Sequence, residues 1–467
     1  MARPMPNHPQ LRGNFAPLRM ECDAPDLIVH GEIPTELHGS YYRNGPNPQY
    51  APRGHHHWFV GDGMVHGFHF EDGRCSYLNR WVRTPKWALE REAGEALFDL
   101  QNPMNTDPSV AGVDSTVANT SIIWHAGRLL ALEEGHAPFE LDPTTLASIG
   151  EWTFEGALEG PMTAHPKVDP ETGEMLFFGY SAAGPFTPDI RYHVVSADGT
   201  LTRSDHFLAP FPSMMHDFVT TSEHVIFPVF PLTGSLDRAM RGAPAFAWEP
   251  ELGTHIGIMG RDGTSADLRW FRHDPCYVFH PMNAWTVGDR VFADVMKYEQ
   301  APLFPNPDGS PGDPEKSDAY LVRWEFDLGA DTDRVKETVL DDWSGEFPRL
   351  DERRAGLAYR HGYYACAAPG TRPAARDSLG HIDHETGKRT FRTFQPGDGV
   401  GEPLFVPRNA DAPEGDGFVL TLVYRAAQGR SDLLVLDASA IDAEPLATIE
   451  LPVRVPYGFH GNWRPAT

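Results

Sequence analysis

An all-β architecture is predicted by three observations. Short apolar or alternating runs recur along most of the 467-residue chain. Glycine (44 residues) and proline (43) are dispersed between these runs as turn punctuation and are not gathered in a tail. Helical periodicity is confined to one stretch, residues 85–98. Many short strands with frequent turns form a sandwich, a barrel or a propeller. Four histidines in similar settings favour the last. His165, His216, His280 and His460 are separated by 51, 64 and 180 residues, close to one, one and three units of about 60 residues. A propeller places equivalent blade positions around one axis, so residues at such multiples point into its central channel. Seven degenerate blades would use most of the chain, as a single domain over 1–467.

The elements follow in order. Short strand-like pieces alternate with breakers from residue 31 to 70, notably Gly45-Pro46-Asn47-Pro48 and Gly61-Asp62-Gly63. Thr84 is a natural helix N-cap with Pro85 in the first turn. Leu89, Ala93 and Leu97 then share one face, which predicts a helix over 85–98. Residues 102–114 read as loop. Ser121-Ile122-Ile123-Trp124 and Arg128-Leu129-Leu130-Ala131-Leu132 flank a turn at Ala126-Gly127. Residues 168–174 turn into Met175-Leu176-Phe177-Phe178. Tyr192-His193-Val194-Val195 and Leu201-Thr202 flank Asp198-Gly199. A late turn at Glu385-Thr386-Gly387 follows His381-Ile382-Asp383. Residues 418–424 and 433–436 form a final pair, and 303–316 is a Pro/Gly/Asp loop.

Composition narrows the function. The net charge of −26 excludes a nucleic-acid partner, which demands a basic surface. It also opposes docking on anionic lipid. Hydrophobic residues make up 40% and charged residues 22%, enough for a sizeable core. No apolar run approaches the roughly 18 residues of a membrane span. Residues 1–10 lack a signal-peptide pattern, so a cytoplasmic protein is expected. Cys22, Cys75, Cys276 and Cys366 are scattered, which predicts reduced thiols.

The four histidines are expected to converge on one metal ion. Neutral imidazole suits Fe, Zn, Cu and Ni. On zinc, four ligands close a tetrahedral structural site. On Fe(II), which prefers six positions, two remain open. With 22 histidines in the chain, most serve surface or core. His55-His56-His57 is a poor cage, because neighbours on a strand point to opposite faces. Ligating histidines donate their other ring N–H to a carboxylate or carbonyl. Glu134, Glu346 and Glu402 lie in glycine- or proline-marked contexts, although composition alone does not select them. Of Glu133 and Glu134, only one can face the metal.

Seven segments, in order, resemble the carotenoid cleavage oxygenases. They are Tyr42-Arg43-Asn44-Gly45-Pro46-Asn47-Pro48, Phe59-Val60-Gly61-Asp62-Gly63-Met64, Thr163-Ala164-His165-Pro166-Lys167, Met215-His216-Asp217-Phe218, Glu346-Phe347-Pro348-Arg349, Gly401-Glu402-Pro403-Leu404-Phe405-Val406-Pro407 and Gly458-Phe459-His460-Gly461. The resemblance spans nearly the whole chain. It implies a seven-bladed β-propeller with a loop and helix cap over the metal-site face. It implies one Fe(II) per chain on His165, His216, His280 and His460. Glu134 would pair with His216, Glu346 with His280 and Glu402 with His460, and Thr120 would border an open iron position. The implied chemistry is cleavage of a C=C bond by O2 to two carbonyl products. Asp62 has no implied catalytic role.

Two substrate branches compete. One cleaves apocarotenoids. The other cleaves stilbenes and phenylpropenoids, whose phenol is gripped by a Tyr and a Lys. Here the Lys position is Glu133. The segment that carries the Tyr reads Phe98-Asp99-Leu100-Gln101-Asn102-Pro103, without one. Phe59 is shared by both branches and, with Glu133, is a candidate tunnel residue. The expectation is therefore an apocarotenoid-like conjugated alkene, with lignostilbene- or isoeugenol-type cleavage as the alternative and a non-catalytic binding propeller as the second. Residues 231–248 mix apolar and charged side chains, as a weak peripheral membrane contact or an ordinary cap helix would. The sequence leaves the oligomeric state open.

Overall fold

The computed structural model describes residues 3–371 and 376–466. Among the described residues the strand ladders are antiparallel, with one isolated parallel bridge between Arg272 and Arg334, and only Pro85–Ala93 and Leu236–Met240 are α-helical. No described helix is long and apolar enough to cross a membrane. Packing divides the chain into two compact units, Met1–Gly156 with Phe394–Thr467, and Ala157–Thr393.

The first unit holds three sheets. One runs Asp23–Ala24, Arg74–Trp81, Gly63–Glu71, Gly39–Pro46, Gly461–Pro465. Its last strand comes from the far end of the chain, with Arg43 opposite Gly461. A second sheet contains Ser121–His125, Arg128–Leu132, Phe139–Leu141 and Ser148–Glu151. The third is built on Gly417–Arg425 and Arg430–Asp437 and also takes in Ile28–Gly31 from near the start. Tyr41, Phe68, Leu420 and Leu433 are buried in one apolar cluster that joins the first and third sheets. The long-range pairings matter for function because they set His460 beside residues 44 and 120.

The glycines of the first and last signature segments answer to close approach, not to turns. Gly45 and Pro46 lie inside the strand Gly39–Pro46, where breakers were expected. A Cβ on Gly45 would sit 2.7 Å from the Gly458 Cα, and a Cβ on Gly458 would sit 2.5 Å from the Arg43 guanidinium carbon. Arg43 is buried and donates to the Pro456 carbonyl at 2.9 Å, and burial lowers its pKa to about 10.

The second unit contains the four-stranded sheets Lys167–Val168/Met175–Tyr180/Asp189–Val195/Leu201–Leu208 and Val219–Thr220/His224–Val229/Thr254–Gly260/Arg269–His273. A small pair, Leu232–Gly234 with Phe246–Trp248, and a seven-stranded sheet from Tyr277–Val287 to Lys388–Thr393 complete it. Phe227 anchors an aromatic core against Phe178, Tyr192, Phe207 and Phe218, with ring centroids 5.0–6.2 Å away.

The helix departs from expectation in length and in its buried face. It spans Pro85–Ala93 and stops at Gly94, whose φ of 74° is the left-handed cap that glycine favours. The Glu90 carboxylate then accepts the Leu97 and Phe98 N–H groups at 2.9 and 3.1 Å, so the chain is held off the helical path. Leu89 is half-buried and Ala93 exposed, while Lys86 and Glu90 are buried. Lys86 Nζ donates to Asp62 at 2.7 Å and to Glu90 at 2.9 Å. A buried ion triad thus replaces the apolar stripe. It also explains Asp62, which accepts from the Gln49 N–H at 3.0 Å and has a structural part.

Candidate metal centre

Each of the four histidines sits where a regular ladder starts or is interrupted. His165 follows Thr163, whose hydroxyl accepts the His165 N–H at 3.1 Å, just before the strand Lys167–Val168. His216 lies between an isolated bridge at Ser213 and the strand Val219–Thr220. His280 is inside Tyr277–Val287, where the register shifts between Val278 and Pro281. His460 immediately precedes Gly461–Pro465. Interrupted pairing lets the side chain leave the alternating pattern of the sheet.

In the second unit three rings come together. His165 Nε2 lies 3.0 Å from His216 Nε2, which lies 3.2 Å from His280 Nε2. The side chains are nearly buried, at 9% exposure for His165, and residues His216 and His280 are each 8% exposed. The His280 Nδ1 is 2.5 Å from Glu346 Oε2. A carboxylate there accepts, so Nδ1 carries the proton and Nε2 presents its lone pair. The Nε2 of His216 stands between those of His165 and His280, and His280 turns a lone pair toward it. This donor set fits a metal ion.

Glu346 is itself held. Its Oε1 accepts from the Tyr298 hydroxyl at 2.9 Å, and its Oε2 accepts the Phe347 N–H at 2.8 Å. Burial opposes its charge, but His280 and these donors hold its pKa below the usual glutamate value. Phe347, with φ of 54°, takes a left-handed conformation that is strained for a bulky residue, and its ring stacks 5.4 Å from His280. Behind His216, Asp217 is buried and accepts from Lys167 at 2.7 Å. Its other oxygen is 3.7 Å from His165 Nδ1. Burial raises the Asp217 pKa despite Lys167.

In the first unit His460, 5% exposed, repeats the His280 pattern. Its Nδ1 is 2.9 Å from Glu402 Oε1, and Glu402 Oε2 accepts the Gly461 N–H at 2.8 Å. The His460 N–H donates to the Thr120 carbonyl at 3.2 Å, and its carbonyl accepts the Asn44 N–H at 2.9 Å. The Asn44 side chain ties Ala118 and Ser121, at 2.9 Å each, so this signature asparagine locks Thr120 against His460. Aromatic rings line the same neighbourhood. Phe459 lies 4.6 Å from Trp58 and 5.6 Å from Phe59, and Phe15 lies 5.2 Å from Trp58.

Glu134 is half-buried and lies just beyond the strand Arg128–Leu132. Glu133 pairs with His136 and receives the Thr116 hydroxyl at 3.3 Å. Burial works against the His136 charge, but Glu133 and Asp114 raise its pKa to about 9. Sequence reasoning missed Tyr298 and this role of Asp217. Asp217 adjoins His216 in a signature segment and could have been flagged; Tyr298 lies in an ordinary strand with no marker. His57 caps a short 3-10 turn, its Nδ1 accepting the Phe59 N–H at 3.2 Å, in keeping with a loop role for the His55–His57 run.

Buried imidazoles backed by carboxylates on an almost all-β chain form a donor set that fits a metal ion. The model of the retinal pigment epithelial membrane protein family, RPE65, matches residues 15–465. An isoeugenol monooxygenase of Pseudomonas nitroreducens is 43% identical over 100% of both chains. The crystal structure of a lignostilbene dioxygenase from Pseudomonas brassicacearum superposes with a TM-score of 0.96, at 38% identity and 100% coverage of each chain. A Synechocystis apocarotenoid oxygenase reaches 0.86 at 28% identity, covering 96% of this chain and 97% of its own. The chain belongs to the RPE65/carotenoid cleavage oxygenase family of non-haem iron oxygenases that cleave C=C bonds. The comparisons back the lignostilbene- or isoeugenol-type alternative better than the apocarotenoid expectation. The most similar relatives above act, by name, on isoeugenol and lignostilbene, which favours the aryl-alkene alternative.

Proposed function

We propose that this protein cleaves the side-chain double bond of a phenylpropenoid or stilbene with O2. For an isoeugenol-type substrate, ArCH=CHCH3 and O2 give ArCHO and CH3CHO, one oxygen atom going to each carbonyl. The observation that carries the reading is the end-to-end 43% identity to an isoeugenol monooxygenase. The aromatic wall of Trp58, Phe59 and Phe459 beside His460 supports it, since flat rings pack well on such surfaces. Glu133 in place of a lysine does not oppose a phenol by leaving a lone negative charge, because His136 pairs with it.

One Fe(II) would be held by His165, His216, His280 and His460. When bound, it supplies the one-electron chemistry through which O2 reacts with an alkene. Glu346 and Glu402 keep the Nδ1 protons of His280 and His460 in place, which keeps each Nε2 basic, and Glu134 would do the same for His216. Thr120, through its hydrogen bond to His460, would border an open position. Buried apolar side chains exclude water.

The sheets support a seven-bladed propeller. The three sheets of the first unit would form three blades and the four-stranded sheets of the second would form two. The seven-stranded sheet reads as two more that share Lys336–Leu350: its early residues pair with Ala319–Asp327 and its late ones with His361–Ala367. The helix Pro85–Ala93 and neighbouring loops would belong to the cap.

The test is turnover of the Fe(II)-loaded protein on isoeugenol, a 4-hydroxystilbene and an apocarotenal under labelled O2. Labelled aryl aldehyde from either aromatic substrate is expected. Cleavage of the apocarotenal alone would overturn the reading, as would no cleavage of any by iron-replete protein.

A further inference from the structure

A second site lies in the second unit, built from residues outside the proposed metal shell. A cavity of about 820 Å³ opens between the small hairpin strand ending at Trp248, the end of Arg269–His273, and residues 334–337. That volume is in the range of small-molecule sites. Its lining carries five basic side chains, Arg272, His273, Lys297, Lys316 and Arg334, against three acids, Asp274, Glu299 and Glu337. With histidine counted neutral, as in the chain's net charge of −26, the lining still carries four basic against three acidic side chains.

The basic groups are positioned by their neighbours. Glu337 fixes two of them: His273 Nε2 lies 3.0 Å from its Oε2, and Lys297 Nζ donates to its Oε1. Trp324 Nε1 donates to the same carboxylate at 2.9 Å. Burial disfavours the imidazolium, but the side chains of Cys276 and Glu337 raise the His273 pKa to about 10, so it is charged at neutral pH. One carboxylate shared by two cations leaves positive charge facing the cavity. Arg272 and Arg334 are 63% and 66% exposed, with carboxylates only at 3.7 and 3.8 Å, beyond hydrogen-bond reach. Such exposed pairs give up their partners at little cost. Lys316 has no ion-pair partner among the described residues. Trp248, Pro250 and Pro275 add an apolar wall.

We propose that this cavity binds a small polyanion bearing phosphate or carboxylate groups. Recognition would come from the Arg272 and Arg334 guanidinium groups and the Lys297 and Lys316 ammonium groups, while His273, whose two ring nitrogens are taken by Glu337 and the Asp274 carbonyl, would add only its charge. The site is independent of the substrate reading above.

The test is calorimetric titration of the iron-loaded protein with pyrophosphate and with citrate at low ionic strength. Wild type is compared with Arg334→Ala, Lys316→Ala and the double variant. These side chains are exposed and far in sequence from the proposed ligands, so iron content and alkene turnover are expected to stay unchanged. Saturable binding of either probe, weakened at least about tenfold in the double variant, supports the proposal. The tighter probe assigns the phosphate or carboxylate source. No saturable heat with either probe, or equal affinity in wild type and double variant, overturns it.

Discussion

Replacing Glu346 by glutamine tests how the protein holds His280. The carboxylate has three partners: His280 Nδ1 at 2.5 Å, the Phe347 N–H at 2.8 Å and the Tyr298 hydroxyl at 2.9 Å. The amide can keep its carbonyl toward His280 and Phe347 and turn its NH2 toward Tyr298, whose hydroxyl accepts as readily as it donates. Geometry is then preserved and only the negative charge behind the ring is lost. Removing such a partner of a ligating histidine weakens metal affinity by about 10–100-fold, or about 1.4–2.8 kcal/mol. Tyr298→Phe removes one donor and leaves the charge, so its loss falls below the glutamine variant's. The assay is competition for Fe(II) with a chelator of known affinity, read as iron per chain, with a circular-dichroism melt to confirm folding. A folded Glu346→Gln protein that keeps iron at wild-type affinity would refute the reasoning.

His460→Ala is expected to abolish both iron loading and alkene cleavage, and Glu402→Gln to lower iron retention less severely; iron analysis of the two proteins beside wild type checks the order. Lys86→Met leaves Asp62 and Glu90 buried without their cation, at a cost of about 3–5 kcal/mol, seen as a lower denaturant midpoint without loss of the metal shell. Glu337 has a pKa lowered to about 2: burial alone would raise it, but His273, Lys297 and Trp324 outweigh that. Its contribution to stability is full above the ordinary value of 4.5 and is lost as pH falls toward 2. His273, raised to about 10, contributes fully below 6.5 and loses its contribution as pH rises toward 10. Unfolding titrations across pH should therefore flatten at both ends in Glu337→Gln; an unchanged profile would count against the pairing.

Much of the strand framework was legible because strand and turn chemistry are local. The turn at Ala126-Gly127 and the strand Arg128–Leu132 appear where the sequence places them. So do the strand Met175–Tyr180 and the pair Gly417–Arg425 with Arg430–Asp437, each slightly longer than read. The helix was misjudged because periodicity reports which residues can be buried, while Asp62, 24 residues away, decided that Lys86 would be.

By itself the sequence determined the candidate ligands, the strand-and-turn grammar and the family signatures, and only the resemblance carried by those signatures pointed to the carboxylates behind the histidines. These are residue identities and short-range patterns, written in one dimension. The tertiary structure alone decided that Tyr298 supports Glu346 across 48 residues and that Glu133 pairs with His136. It also decided that Asn44 braces Thr120 against His460. Two of these contacts join residues far apart in the chain, and ladder registers bring the partners to one place. Glu133 and His136 are close in sequence, but their pairing depends on how the chain turns after the strand ends. Charge and packing then select among residues that look alike in the chain.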